Sequence, residues 1–282
     1  MKKLFILLFI GLCFTSMVFA ANIMNLSGQE IENTTKAIRL NPLNAELYYR
    51  RGIEYYENCK AYNNLYVLNL VDTKIDDALA YGVKSTEAGT HALADFTKTI
   101  EIKPRFADAY YYRGLAYDEL GKSQKAIQDL NTAIELHPEN IKFYSARGNI
   151  YMKAGLVMEF KRGQNVGDTL PLEKKDYIEA AENSSKAIRD YTKVIEIDPK
   201  NGDGYFNLAN SSYHRGLAYK KMGLLSPAFD DFYQAAILFS EIKWKPEGSL
   251  PPIVFECVGF MKKINPASPL IKQLMDKINK SK

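Results

Sequence analysis

The sequence offers three histidines as candidates for acid–base or metal chemistry. His91, His137 and His214 are spread along the chain, and none has a partner at the spacing of a metal site or a catalytic pair. His137 lies directly before Pro138, in a turn, and His214 directly before Arg215. We therefore expect no catalytic residue, no metal site and no cofactor, and we predict that the protein is not an enzyme.

The glycine-rich stretch from Gly163 to Gly167 could suggest a phosphate-binding loop. Such a loop needs a Lys-Ser/Thr pair after its glycines, so that the ammonium group can reach the phosphates. No such pair follows here, and we interpret the stretch as a turn.

Tyrosines are abundant, with 19 in the chain, and several are adjacent, as in Tyr110 to Tyr112. Clustered aromatic rings could stack on bases or sugars. Without residues 1–20, which hold two lysines and no acidic side chain, the formal net charge falls from +4 to +2, which is not the footprint of a nucleic-acid-binding protein. We expect many of the rings to pack between helices.

One arginine that precedes a glycine, and one aspartate that precedes an apolar residue, recur in each of four repeating units along the chain. The arginines are Arg51, Arg113, Arg147 and Arg215, and the aspartates are Asp95, Asp129, Asp190 and Asp231. A buried charge must be paired. We predict a structural series of Arg–Asp pairs, one in each repeating unit, and not a binding site.

These residues belong to a repeating unit that is clearest from Ala107 to Asn140, a stretch of 34 residues. The spacing predicts two amphipathic helices, with Gly121 ending the first and Pro138 preventing the second from continuing. The landmarks of the unit are Tyr110, Gly114, Tyr117, Gly121, Ala126, Leu130, Ala133 and Pro138.

This order resembles the tetratricopeptide repeat (TPR) family. The resemblance implies an all-α fold, a right-handed solenoid of helix-turn-helix repeats. We expect a lone helix at 22–41, repeats at about 45–106, 107–140, 141–201 and 202–240, which together form a solenoid over 21–240, and a linker with C-terminal helices at 241–282.

Two repeats carry extra residues between their helices. Around 60–90 the insert is helical in pattern and is expected to break at Gly82. Around 156–183 we expect a helix extension from Leu156 to Phe160, a turn from Gly163 to Thr169, and a second helix that starts at Pro171. Both inserts are interpreted as lengthened helical hairpins. About seven further residues, near 201–208, would add two helical turns at the N-terminal end of the last repeat.

The repeat pattern fails after Ser240. We expect two short helices, Ile253 to Lys263 and Pro269 to Lys280, that cap the apolar face of the last repeat. Cys59 and Cys257 lie far apart in such a solenoid and are expected to be unpaired thiols at helix ends.

The N-terminal residues indicate export from the cytoplasm. Lys2 and Lys3 precede an apolar run, which is followed by a cleavage-site pattern with the small residue Ala20 at its end. This order is typical of a signal peptide at 1–20. The run is too short for a comfortable membrane span. Leu12 stands where a lipoprotein signal needs a small residue before Cys13, so no lipid anchor is expected. We predict a periplasmic or secreted protein.

By the same resemblance, the first helix of each repeat lines a concave groove that holds peptides or helices. The positions that this mapping gives are Glu46, Tyr49, Arg50, Ile53, Tyr56 and Glu57 in the first repeat, and Asp108, Tyr111, Tyr112, Leu115, Asp118 and Glu119 in the second. In the third and fourth they are Lys142, Ser145, Asn149, Met152, Lys153, Asn210, Tyr213, Leu217, Lys220 and Lys221. The charge changes from acidic to basic along this series, and tyrosines are expected to anchor the ligand.

The favoured function is a non-catalytic scaffold that binds a protein or peptide segment in the cell envelope. Two alternatives stay open: a component of an envelope assembly or secretion complex, and a glycan-binding or glycan-hydrolysing protein. A glycan-hydrolysing protein needs a pair of carboxylates in a pocket, and the sequence does not indicate where such a pair would lie.

Overall fold

The computed structural model describes residues 27–71, 74–156, 160–162, 169–241 and 252–280. The predicted signal peptide at 1–20 lies outside the described residues, as does most of the predicted linker, 242–251. The chain divides into two compact units, Met1–Pro138 and Glu139–Lys282.

The first unit contains five helices in its described part. Helix α1 covers 27–40 and is followed by α2 (Ala45–Val71), α3 (Ile75–Ile102), α4 (Ala107–Glu119) and α5 (Ser123–Leu136). Consecutive helices from α2 to α5 pack on one another, and α4 also contacts α2. This is the predicted helix-turn-helix pattern.

Proline and glycine set the helix ends in this unit. Helix α3 ends two residues before Pro104, and α5 ends two residues before Pro138, because proline lacks the N–H that would continue the helix. Gly121 ends α4 in a left-handed conformation, with φ of 70°. The N–H of Lys122 then donates to the Tyr117 carbonyl at 2.8 Å, which satisfies a carbonyl at the helix end.

The first insert is a lengthened helical hairpin, as predicted, because α2 and α3 are 27 and 28 residues long. The expected break at Gly82 is wrong. Gly82 lies within α3, because α2 ends at Val71 and α3 begins at Ile75. The ring of Tyr66 on α2 lies 3.3 Å from the position that a Cβ of Gly82 would take. The glycine therefore allows α2 and α3 to approach each other closely, and it does not end a helix.

The second unit contains helices α6 (Ile141–Gly155), α7 (Lys174–Ile197), α8 (Gly202–Lys221), α9 (Leu225–Glu241), α10 (Pro252–Ile264) and α11 (Pro269–Lys280). The 20 residues of α8 agree with the predicted added turns at its head. The predicted C-terminal helices are confirmed: α10 and α11 both pack on α9, and α10 buries Val254, Cys257, Val258 and Met261.

The second insert is not a helical hairpin. Helix α6 ends at Gly155, and strands β1 (Phe160–Arg162) and β2 (Thr169–Pro171) form an antiparallel pair. Pro171 belongs to β2, and the second helix begins only at Lys174. The residue before a proline is biased toward extended backbone, and the Asp176 carboxylate accepts from the Glu173 N–H at 2.7 Å, which favours a later helix start. Residues 163–168, which include the predicted glycine turn, lie outside the described part.

Cys59 and Cys257 are free and buried, as expected, but they lie in the middle of α2 and α10 and not at helix ends. Burial raises the pKa of Cys59, and it raises that of Cys257 to about 12. Such thiols stay protonated and unreactive at neutral pH. None of the helices in the described part of the chain combines the length and apolarity needed to cross a bilayer.

Candidate functional site: the first-helix faces

The predicted Arg–Asp pairs are present in all four repeats and fix each first helix to its second helix. In the first unit, Arg51 donates from Nε and Nη2 to Asp95 at 2.8 and 2.7 Å, and Arg113 donates to Asp129 at 2.7 and 2.8 Å. The bond to Asp129 raises the pKa of Arg113. In the second unit, Arg147 binds Asp190 and Arg215 binds Asp231 through the same two hydrogen bonds, from Nε and Nη2 to the two carboxylate oxygens.

Arg51, Arg113 and Arg215 make a further bond that the sequence reasoning missed. The remaining Nη1 group donates to a hydroxyl on an earlier helix: Arg51 to Thr35 at 2.9 Å, Arg113 to Thr97 at 3.2 Å, and Arg215 to Ser185 at 3.1 Å. The signal was available, because Thr35 and Thr97 each precede their arginine by 16 residues. The arginine therefore joins its own repeat to the element before it.

In the first unit, α2 and α4 bring together most of the aromatic residues predicted for the groove. Tyr112 lies between Tyr49 and Tyr56, with ring centroids 5.8 Å from each, and it stacks on Phe96 of α3. Ile53 and Leu115 pack against the same cluster. Tyr56 is only 6% exposed. It belongs to the core, so the prediction that it anchors a ligand is corrected.

A second set of groove residues on these helices remains accessible and forms what we call the acidic aromatic face: Glu46, Tyr49, Glu57, Asp108 and Tyr111. Glu46 and Asp108 are exposed, and the other three are half-buried. Burial raises the pKa of Tyr111, with further contributions from Tyr112, Asp108 and Glu57. These carboxylates are thus close enough to the ring to give this surface a negative potential.

The remaining two predicted residues of α4 lie toward its C-terminal end. Asp118 and Glu119 are half-buried. The Glu119 carboxylate accepts a hydrogen bond from Asn63 Nδ2 of α2 at 2.8 Å. Glu119 therefore helps to hold α2 and α4 together as well as contributing charge.

In the second unit, α6 presents Lys142 and Lys153 as exposed side chains. Asn149, predicted as a polar groove residue, accepts a hydrogen bond from the Tyr191 hydroxyl of α7 at 2.7 Å. Because Tyr191 is fully buried, this bond satisfies a core hydroxyl. Asn149 therefore supports the fold of α6 on α7.

The predicted groove residues of α8 are partly covered by α10. Tyr213 is 8% exposed, and its hydroxyl donates to Glu256 of α10 at 2.7 Å, so the prediction that it is an exposed anchor is corrected. Leu217 packs against the same core. The Lys220 ammonium lies 3.9 Å from the Phe260 ring centroid, whereas Lys221 is exposed. The capping helix thus occupies the surface that a ligand was expected to use.

The histidines lie in separate environments. His91 stacks on Tyr55 with centroids 4.9 Å apart, His137 is exposed, and burial lowers the pKa of His214. Within the described ranges, no group of three His, Cys, Asp or Glu side chains could hold a metal ion.

Comparison with known proteins adds sequence relatives to this geometry. Residues 107–140 match the family model of the tetratricopeptide repeat. Human tetratricopeptide repeat protein 6 is 26% identical over 220 residues, which cover 76% of this chain and 35% of that protein. Tetratricopeptide repeat protein 36 of Caenorhabditis elegans is 39% identical over 71 residues, 25% of this chain and 37% of that protein. The chain thus spans about a third of the length of these curated relatives, and they support the tetratricopeptide repeat family for its repeats.

Two solved structures are similar in fold. A crystal structure of the MamA protein shares 22% identity with a TM-score of 0.46 and covers 84% of this chain and 98% of its own. YrrB, described as a TPR protein with an unusual peptide-binding site, shares 17% identity with a TM-score of 0.41, over 87% of this chain and 99% of its own.

Proposed function

We propose that this protein is a non-catalytic scaffold of the cell envelope that binds a peptide or protein segment on the first helices of its repeats. The observation that carries the proposal is the acidic aromatic face. Tyr49 and Tyr111 are held between helices with their rings partly accessible, and Glu46, Glu57 and Asp108 surround them.

This combination suits a basic peptide segment. Half-buried tyrosines are rigid, so they lose little side-chain entropy when a ligand covers them. The carboxylates attract a basic segment and select its orientation, since like charges placed opposite one another are unfavourable. Tyr111 is the principal anchor of this face, because Tyr56 is committed to the core.

In the second unit the exposed charges at the predicted groove positions are basic, at Lys142, Lys153 and Lys221. We propose that an acidic segment of the partner binds there. The anchor on this side is not Tyr213, which α10 covers. Charge therefore contributes more to recognition in this unit than aromatic contact does.

Location in the envelope is proposed on the signal-peptide pattern of residues 1–20, with cleavage after Ala20. N-terminal sequencing of the exported protein tests it directly. Mature protein that begins at another residue, or protein retained in the cytoplasm, would contradict this part of the proposal.

The binding role is tested by cross-linking and pulldown from the native envelope with the parent chain and two variants. Glu46→Lys/Asp108→Lys reverses charge on the acidic aromatic face, and Glu101→Lys/Glu135→Lys makes the same charge change on exposed residues of the second helices α3 and α5. The first variant should lose the partner and the second should keep it. Equal recovery by both variants would show that the face does not bind. Recovery of a whole membrane complex would favour the assembly alternative.

A further inference from the structure

The groove between α2 and α3 that holds α4 is longer than α4. On α3, the residues that face α4 and its end are Gly89, Leu93 and Phe96, which are spaced four and three apart. A Cβ at Gly89 would lie 3.0 Å from Leu120 Cδ2. Leu93 packs against the cluster that contains Phe96, and Phe96 stacks on Tyr112 of α4. This is one continuous helical face, because α3 has no break between Ile75 and Ile102.

The same face continues beyond the end of α4 at Glu119. On α3 it runs back through Thr86, Gly82 and Leu79 to Ile75, again spaced three and four apart, and on α2 it continues through Asn63, Val67 and Leu70. A cavity of about 880 Å³ opens here. We call it the hairpin groove, lined by Tyr66, Leu79, Val83, Glu87, Glu119 and Lys122.

Two aliphatic residues that line the hairpin groove are exposed to an unusual degree, Leu79 at 58% and Val83 at 68%. Val67 of α2 and Ile75 of α3, further along the same helices, are 54% and 61% exposed. Single exposed aliphatic side chains are ordinary, but a contiguous apolar patch with a polar rim marks an interaction surface. The charged residues at the rim are two glutamates, Glu87 and Glu119, and one lysine, Lys122.

We propose that the hairpin groove binds an amphipathic helix of a partner protein, with large aliphatic side chains on one face and basic residues beside them. A helix is the expected occupant because the groove lies between the same two continuous helices that already hold α4. Residues 75–88 of α3 rise about 20 Å at 1.5 Å per residue, which is room for a helix of about 14 residues. The basic residues of this helix would pair with the carboxylates of Glu87 and Glu119.

This site is separate from the acidic aromatic face. Its residues lie on the extended part of the α2–α3 hairpin, and it is formed because α3 has 28 residues whereas α4 has only 13. The two surfaces can therefore be tested independently.

The test uses two synthetic 14-residue helical peptides with the same leucine stripe, one with lysines beside the stripe and one with glutamates. Fluorescence anisotropy measures their binding to the full mature chain. The lysine peptide should bind at least about tenfold more tightly than the glutamate peptide. Leu79→Asp/Val83→Asp should weaken the lysine peptide by at least about tenfold, because the apolar contacts are lost.

A matched control is Leu224→Asp/Leu225→Asp, which changes two leucines that are each 48% exposed in the second unit. It should bind the lysine peptide like the parent. Absence of binding to the parent, or equal binding by the Leu79→Asp/Val83→Asp variant with unchanged circular dichroism, would overturn the proposal. So would a parent dimer in sedimentation analysis that this variant abolishes, since the occupant would then be a second copy of the chain.

Discussion

Arg113 holds Asp129 through two parallel hydrogen bonds, Nε to Oδ2 at 2.7 Å and Nη2 to Oδ1 at 2.8 Å. The Arg113 side chain is 17% exposed and that of Asp129 is 9% exposed. The guanidinium also lies 5.5 Å from the centroid of the Tyr110 ring, within the range of a cation–π contact. The pair is therefore largely shielded from water, which makes the loss of one partner costly.

Asp129→Ala should lower the free energy of unfolding by about 3–5 kcal/mol, because it leaves the Arg113 charge buried without its counter-ion. Urea unfolding followed by circular dichroism measures this. The control is Glu101→Ala, which removes the partner of Lys98 in an exposed pair and should leave the unfolding midpoint close to that of the parent. An Asp129→Ala midpoint equal to that of the control would show that the pair has no structural role.

Thr97→Val should cost about 1–3 kcal/mol, because Arg113 Nη1 loses its acceptor while the shape of the side chain is kept. Thr132→Val is the matched control, since the Thr132 hydroxyl is exposed and bonds only to the Gln128 carbonyl of its own helix. Thermal unfolding of the two variants compares them. Equal melting temperatures would mean that the bond between successive repeats adds nothing to stability.

The stability of the protein should decrease below about pH 7 through His214. Burial lowers the pKa of this imidazole from 6.5, so the unfolded chain binds a proton more readily than the folded one. The stabilisation is then present above pH 6.5 and is lost as the pH falls from there toward the folded pKa. His214→Gln should flatten this part of the curve of unfolding free energy against pH. His137→Gln, at an exposed site, should leave the slope unchanged, and identical slopes for both variants would refute the assignment.

Met261→Ala should lower the free energy of unfolding by about 2–5 kcal/mol, because the side chain is fully buried where α10 packs on α9. Phe255→Ala, on the same helix, removes a ring that is 51% exposed and should cost under about 1 kcal/mol. Chemical denaturation measures both. A small effect at Met261 would mean that α10 does not stabilise the last repeat as a cap.

The Arg–Asp pairs could be predicted because they are a property of the repeat. Arg113 and Asp129 recur at fixed places in four units, and a charge at a packing position needs a partner in any repeat of this type. The additional acceptors do not follow from the pattern of a single repeat, because Thr97 belongs to the repeat before that of Arg113.

The insert at 156–183 could not be predicted correctly from helical spacing. Leu156 to Phe160 is a short apolar run, and short runs suit a strand as well as a helix. The pairing of Phe160 with Pro171 places Phe160 in a strand, and residues 163–168, which lie between the two strands in the sequence, are outside the described part.

The sequence by itself determined the repeat length, the helix ends at Pro138 and Gly121, and the identity of the paired charges, because each depends on backbone chemistry or on recurrence in every unit. Only the tertiary structure decided which tyrosines a ligand can reach. Tyr56 and Tyr111 occupy equivalent kinds of position in the sequence, yet only Tyr56 is buried, and Tyr213 is covered by a helix some 40 residues further along the chain. Exposure depends on which distant element packs against a face and on where that element ends, and for the same reason the hairpin groove exists only because α4 stops before α3 does.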